Sequence, residues 1–392
     1  MARDALIAMT KREIENLEKN RIDLAPDVMK ISTSAYSDPE RFKLEVDRIF
    51  RRVPLALGFS SEFRNPGDYR ALTVAGMPVI IVRGADGELR AFVNMCSHRG
   101  NFVIEEGSGN TRRFRCNYHA WTYTTEGRLF GVFEESNFGC VNKAELGLTP
   151  LPIAERAGLV WVTLNPESTL DIDLFLDGYG EILEHLRIDD AFLADQHCLN
   201  GPNWKVAYDG YRDFYHVPIL HRQSFGPDGP YQPDFYAWGP HVRVATPKGH
   251  DMFKGRPEAE WTNDEMMPGV WTIFPNVSIA GGPGSGYMFS MMFPGKTVGE
   301  SFTIQNFLRY GKREELNRQD LDNFMGFMRT VVGEEDYKTG FRVQTSLATG
   351  AKAFSYFGRN EGGGQLFHKW VDAMINTSDA DLPELFRRGV KL

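Results

Sequence analysis

Two short stretches decide how this chain folds: "NMCSHRGN" at residues 94–101 and "RFRCNYHAW" at residues 113–121. Each supplies one cysteine and one histidine from a short turn, Cys96 with His98 and Cys116 with His119, and 17 residues lie between the two groups. The chain holds only 4 cysteines and 9 histidines. Two ordered Cys/His pairs in so sparse a background form a metal-binding set, and a tetrahedral zinc ion is one group that uses such ligands.

Working outward, 392 residues exceed what one core usually covers, so two domains or one large elaborated domain are expected. Hydrophobic residues make up 42% and charged residues 24%, the balance of a globular protein. The net charge of -8 and the lack of a long Lys/Arg run argue against nucleic acid as a partner. No apolar run approaches the roughly 20 residues of a membrane span, and the first twenty residues carry charges throughout instead of an apolar signal core. A cytoplasmic location is expected, and four cysteines in so long a chain suit a reducing compartment better than a disulfide framework.

Helical spacing is read at residues 3–20 and at Ser37–Phe50, where Pro39 falls in the first turn and Phe42, Val46, Ile49 and Phe50 supply an apolar side. From about Leu55 to Val162 the texture changes to short runs such as "YRALTVAG", "PVIIVRG" and "LVWVTLN" between turn signals, which predicts a small β domain carrying both Cys/His loops. "NPES" at 165–168 reads as a linker, and "DLFLDGYGEILEHL" at 173–186 as a helix weakened by glycine. Beyond it come a helix around Trp204–His221, strands including "GVWTIFPNVSIAG" and "GYMFSMMFPG", and helices at about 313–330 and 334–349. "EGGGQ" near the C-terminus reads as a flexible surface loop, and Cys140 and Cys198 as packing residues.

The spacing separates the metal candidates. Zinc frameworks favour two to four residues between paired ligands, whereas one Cys and one His from each of two loops suit a [2Fe–2S] centre in which two cysteines hold one iron and two histidines the other. The two loops, with Trp121 after the last ligand and the turn at Gly127 and Leu129, resemble those of Rieske proteins. They lack the additional loop cysteines of the high-potential respiratory type, since Ser97, Asn117 and Tyr118 stand there, so the resemblance is to the low-potential type of ring-hydroxylating oxygenases and their ferredoxins.

A Rieske domain would occupy about a third of this length. The remainder contains "NWKVAYDGYRDFYHVPILH" at 203–221, in which His216 and His221 are five apart, too far for one straight helical face at i, i+4. Pro218 between them removes an intrahelical donor, so the helix is expected to distort or end there. Two histidines and one carboxylate on one side of iron leave positions open for O2 and substrate. The string resembles the mononuclear-iron motif of Rieske oxygenase α subunits, and "VVGEEDYKTGFRVQTSL" at 331–347 resembles their late acidic motif, with Phe341 where the family often has Glu. Counting eight residues back from Gln344 selects Asp336, with Glu335 and Glu334 as competitors.

The resemblance, which runs from "DPERF" to "VQTSL", implies a full set of expectations. The fold is α+β: a small all-β Rieske domain at 37–165, and a catalytic domain at 166–392 with a curved antiparallel sheet flanked by helices in the helix-grip, START-like manner. An N-terminal segment, 1–36, joins the catalytic domain. Cys96, His98, Cys116 and His119 hold the cluster; His216, His221 and Asp336 hold mononuclear Fe(II). Asp213, three residues before His216, carries electrons to the iron from His98 or His119 of a neighbouring subunit, because the two metal sites within one chain are too distant, and Asp209 belongs to the same acidic motif. That implies a homotrimer, or an α3β3 assembly with a small β subunit, receiving NAD(P)H electrons through a flavin-containing reductase and in some systems a ferredoxin. The substrate expected is aromatic or otherwise hydrophobic, with a quaternary-ammonium compound or an oxidative demethylation as the alternative. An electron-transfer protein with a vestigial second site and a zinc-organised binding module are the readings outside this class.

Overall fold

The computed structural model describes residues 2–227, 233–245, 250–282 and 286–392. It divides into two compact units, Phe50–Ile172 and Met1–Ile49 with Asp173–Leu392. The divisions fall at 49/50 and 172/173 instead of the 36/37 and 165/166 read from sequence, and the Ser37–Phe50 segment goes with the larger unit. Among the described residues no helix is long and apolar enough to cross a membrane.

The smaller unit is built from short antiparallel strands. Asp68–Val74, Met77–Arg83 and Leu89–Val93 pair in succession, flanked by Gly107–Asn110 and Pro150–Leu151. A three-stranded sheet of Arg113–Arg115, Thr122–Thr124 and Leu129–Gly131 carries the second Cys/His loop between its first two strands. Alternation sends Ile80, Val82, Phe92, Phe114 and Tyr123 inward, and Cys96 and Cys116 are members of the same buried cluster. The loops are thereby fixed by the core itself.

In the larger unit, seven described strands form one antiparallel sheet: β1 (Ala191–Gly201), β2 (Asp234–Trp238), β3 (His241–Ala245), β4 (Val270–Ile273), β5 (Val277–Gly282), β6 (Gly286–Pro294) and β7 (Ser301–Tyr310), in the order β1-β7-β6-β5-β4-β3-β2. Every residue of β6 is buried, as expected of a central strand covered on both faces. Helix α1 (Ala2–Glu18) and helix α2 (Pro39–Glu45) belong to this unit, and Asp38 caps α2 by accepting from the Glu40 amide.

Several sequence expectations are corrected. Residues 173–186 do not form one helix: Asp177 (φ 48°) and Gly178 (φ 78°) take left-handed backbone and split the run into Ile172–Leu176 and Tyr179–Leu183. The Trp204–His221 helix ends early, because α3 (Trp204–Asp209) gives way to a 3-10 turn at Gly210–Arg212 and then to extended backbone at Asp213. Pro218 sits in the first turn of the short helix Val217–Leu220, where no amide is required of it, so it starts a turn instead of breaking one. The two late helices are one continuous run, α4 (Arg318–Arg329), a π-helical turn at Thr330–Tyr337 and α5 (Lys338–Leu347).

"EGGGQ" is not a loop. It opens helix α6 (Gly362–Asn376), and all three glycines are buried. A Cβ at Gly364 would lie 2.7 Å from the Phe357 ring, so the glycines allow close approach of the helix to its neighbours. Further along α6, Phe367, Trp370, Val371 and Met374 are fully buried, each stabilising the fold by about 1.5–3 kcal/mol. Cys140 and Cys198 are exposed, the latter on an outward position of β1, and are not core residues.

Candidate metal centres

The two Cys/His loops are closed in the same way. The Cys96 amide donates to the Asn101 carbonyl at 2.8 Å and the Gly100 amide to the Cys96 carbonyl at 2.9 Å; the Cys116 amide donates to the Trp121 carbonyl at 2.9 Å and the Ala120 amide to the Cys116 carbonyl at 3.0 Å. Both sulfurs are buried and both imidazoles are partly exposed, with ring centroids 4.6 Å apart. Trp121 stacks on His98 at 5.0 Å. Burial pushes the Cys96 thiol up; for Cys116 burial acts the same way, but hydrogen bonds from Asn101 and the amides of Tyr118 and His119 bring it down. Tyr123, whose place at the cluster no sequence signal indicated, lies 3.2 Å from the Cys96 sulfur through its hydroxyl and accepts from the Ser97 amide at 2.9 Å.

These residues suit a [2Fe–2S] group. The donors divide into a buried sulfur pair and a more exposed imidazole pair, which matches one iron of each kind. Nδ1 of His98 is buried and has no hydrogen-bond partner among the described residues, which leaves it available as a ligand.

The second centre arises from α3, the turn after it and the π-helical segment. Asn203 caps α3 by accepting from the Lys205 amide, while Trp204 Nε1 and Lys205 Nζ both donate to Glu45 of α2. The "NWK" triplet is therefore an anchor. Past Asp213 the chain turns so that Nε2 of His216 and Nε2 of His221 lie 3.1 Å apart. Asp336 Oδ1 lies 3.0 Å from His221 Nε2 and 3.6 Å from His216 Nε2. Among the described residues, His216, His221 and Asp336 are the group whose donor atoms converge closely enough to hold a single ion.

The remaining imidazole nitrogens have carboxylate partners. Asp213 Oδ2 is 3.0 Å from His216 Nδ1, and Glu335 Oε2 is 2.6 Å from His221 Nδ1. Ser224 Oγ donates to both oxygens of Glu335, at 3.0 and 3.1 Å. Burial would lower the His221 pKa, yet Asp336 and Glu335 together raise it. Consecutive residues Glu335 and Asp336 thus grip opposite nitrogens of one ring, in a π-helical turn of the kind found at functional sites. Two imidazoles oriented from behind, with a carboxylate beside them, suit an iron ion with open positions.

An apolar pocket of about 360 Å³ opens against His216, His221 and Asp336. Its walls include Phe214, Phe225, Phe324, Phe327 and Met288. Of the two aromatic strands, Trp271, Phe289 and Phe293 are buried core outside the pocket wall, whereas Val270 and Met288 reach it.

Each of the two units contains a stretch that matches a known protein family. Residues 54–142 match the Rieske [2Fe-2S] domain family and residues 187–377 the ring hydroxylating alpha subunit (catalytic domain) family. The carnitine monooxygenase oxygenase subunit of Acinetobacter baumannii is 30% identical over 320 residues, covering 80% of this chain and 83% of that one. Benzene 1,2-dioxygenase subunit alpha of Pseudomonas putida is 32% identical over 195 residues, 48% of this chain, and the match spans only 43% of that subunit. Among solved structures, the quaternary ammonium Rieske monooxygenase CntA with L-carnitine superposes with a TM-score of 0.77 at 24% identity, over 90% of this chain and 97% of that one. Naphthalene 1,2-dioxygenase with indole gives 0.72 at 19% identity, over 91% and 94%. At those identities the two structures speak for the fold. The chain belongs to the Rieske-type ring-hydroxylating oxygenase α-subunit family.

Proposed function

We propose that the chain is a terminal oxygenase component that uses O2 and electrons from a reductase, directly or through a ferredoxin, to hydroxylate or dihydroxylate an aromatic or other hydrophobic small molecule. The observation that carries this reading is the convergence of His216, His221 and Asp336 at the wall of an apolar pocket. Cys96, His98, Cys116 and His119 would hold the cluster and His216, His221 and Asp336 the mononuclear iron. When bound, the cluster supplies one-electron transfer and the iron supplies oxygen activation.

The chain's own residues do the rest. Asp213 and Glu335 fix the tautomer and tilt of the two histidines through their Nδ1 atoms. Phe214, Phe225, Phe324 and Phe327 exclude water and hold an apolar body beside the site. Asp213 also serves as the electron bridge from His98 or His119 of a neighbouring copy, which calls for a trimeric ring, with or without a small β subunit, fed by a flavin-containing NAD(P)H reductase in the cytoplasm.

A quaternary-ammonium substrate is the second reading, favoured by the aromatic rings of the pocket, which attract a cation through their faces. Against it, the described wall residues include no Lys or Arg to pair with a carboxylate such as that of carnitine. Oxygen uptake with a surrogate reductase decides. Stimulation by neutral arenes supports the first reading, stimulation by quaternary ammonium compounds alone supports the second, and a colourless protein without iron contradicts both.

A further inference from the structure

A row of polar side chains crosses the sheet beside the apolar pocket. Ser278 of β5 stands opposite Ser290 of β6, Ser290 opposite Gln305 of β7, and Gln305 opposite His197 of β1. Ala280 and Met288, two residues along from the serines, line the pocket, so alternation puts the whole row on the pocket's side of the sheet. Ser278, Ser290 and Gln305 are fully buried, whereas His197, on a strand at the end of the sheet, is partly exposed. His197 Nε2 lies 2.6 Å from Gln305 Oε1. Three further atoms of the row, His197 Nδ1, Gln305 Nε2 and Ser278 Oγ, are buried with no hydrogen-bond partner among the described residues.

The row meets the pocket at Tyr211. This residue lines the pocket, and its hydroxyl donates to Ser290 Oγ at 3.4 Å, with Gln305 and Tyr337 facing it. Packing alone does not account for open polar atoms at buried sheet positions, since apolar side chains would fill them without the loss of solvation. A demand for protons does. One oxygen inserted follows RH + O2 + 2e⁻ + 2H⁺ → ROH + H2O, and two inserted follow arene + O2 + 2e⁻ + 2H⁺ → dihydrodiol, with the electrons coming from the reductase named above. Most of the pocket wall is apolar, and its one carboxylate outside the proposed ligands, Asp213, is engaged with His216.

We propose that the row is a proton inlet, in which protons enter at His197 and pass along water held by Gln305 and Ser290 to the Tyr211 hydroxyl at the pocket wall. This rests on the oxygenase reading above. The open atoms supply what an internal water needs, since such a molecule takes about three hydrogen bonds from buried polar groups. The Tyr211 hydroxyl gives one proton as it takes another, so the phenol, which burial pushes up to about 12, need not ionise. At the outer end, burial lowers the His197 pKa, with Arg329 at the end of α4 acting the same way and Gln305 and Asp195 opposing them. Asp195 is in turn paired with Arg318 at 2.8 Å. His197 is therefore neutral at neutral pH, with one ring nitrogen to accept a proton and one to donate.

The test uses Tyr211→Phe, Gln305→Leu and His197→Ala in the full chain, each checked for iron and cluster content. In the metal-free proteins, oxygen-17 relaxation of water should count fewer long-lived internal waters in Gln305→Leu than in wild type; an equal count would overturn the inlet. In the loaded enzymes Tyr211→Phe and His197→Ala should each lower turnover at saturating substrate by about tenfold or more, leave KM within about twofold and raise the solvent deuterium isotope effect, with added imidazole recovering part of the His197→Ala loss. Wild-type turnover and isotope effect in both metal-replete variants, or a loss with an unchanged isotope effect and no recovery by imidazole, would overturn the inlet and leave the oxygenase reading standing. If metal-replete wild type consumes no oxygen with any apolar or quaternary-ammonium substrate, the oxygenase reading fails and the inlet falls with it.

Discussion

Glu335 Oε2 lies 2.6 Å from Nδ1 of His221, which turns Nε2 of the same ring toward Asp336. The two neighbouring carboxylates therefore have different tasks, and substitution should separate them. Asp336→Ala is expected to empty the mononuclear site. Glu335→Gln should keep the site but weaken iron binding by about 10–100-fold, the usual cost of losing a partner behind a metal-bound histidine. Iron titration of both variants checks this; equal loss in the two would assign Glu335 as a ligand.

Asp213 holds His216 from behind at 3.0 Å. Asp213→Asn keeps the shape and a hydrogen-bonding group while removing the charge. Both metals should remain bound and most turnover should vanish, read as slow reoxidation of the reduced cluster in a single turnover. Full activity in this variant refutes the electron-bridge role.

Glu45 and Lys205 form an ion pair with both side chains fully buried, and burial lowers the Lys205 pKa. Removing one partner leaves a charge stranded, so Glu45→Ala should cost about 3–5 kcal/mol in chemical denaturation. Replacing both with Met should cost far less, because no uncompensated charge remains.

Asp234 is 2% exposed, and one of its oxygens has no partner among the described residues. Burial raises its pKa from 3.8 to about 6, against the hydrogen bond from Asn16. The folded state then binds more protons than the unfolded state between those values, so stability falls as pH rises through them, by up to about 3 kcal/mol. Asp234→Asn should be more stable than wild type at pH 8 by about 1–3 kcal/mol, with the difference fading toward pH 4 in thermal melts. A difference independent of pH would contradict the assignment.

What could be read from the sequence follows the range of the forces involved. The Cys/His loops are local, each closed by hydrogen bonds within six residues, so Cys96, His98, Cys116 and His119 could be picked out from spacing alone. His216 and His221 are picked out by the string around them, since two histidines five apart say little alone and the resemblance of 203–221 to the mononuclear-iron motif selects them. The count back from Gln344 selects Asp336, but the separate place of Glu335 behind His221 could not be read, because it depends on a π-helical turn meeting a ring more than a hundred residues earlier in the chain. The glycine run at 362–364 misled in the opposite direction: its composition suggests flexibility, but the residues that explain it, Phe235 and Phe357, are remote or turned inward. Likewise nothing near His368 announces its contacts with Asp209 and Tyr36, since all three come from separate elements.

The central claim is that His216, His221 and Asp336 hold an iron ion separate from the cluster. Iron per chain, measured together with the visible spectrum for wild type and Asp336→Ala, tests it most directly. The account predicts about three irons in wild type, two of them in the cluster, falling to about two in the variant with the Rieske spectrum unchanged. About two irons in fully loaded wild type, or no loss in Asp336→Ala, would contradict it.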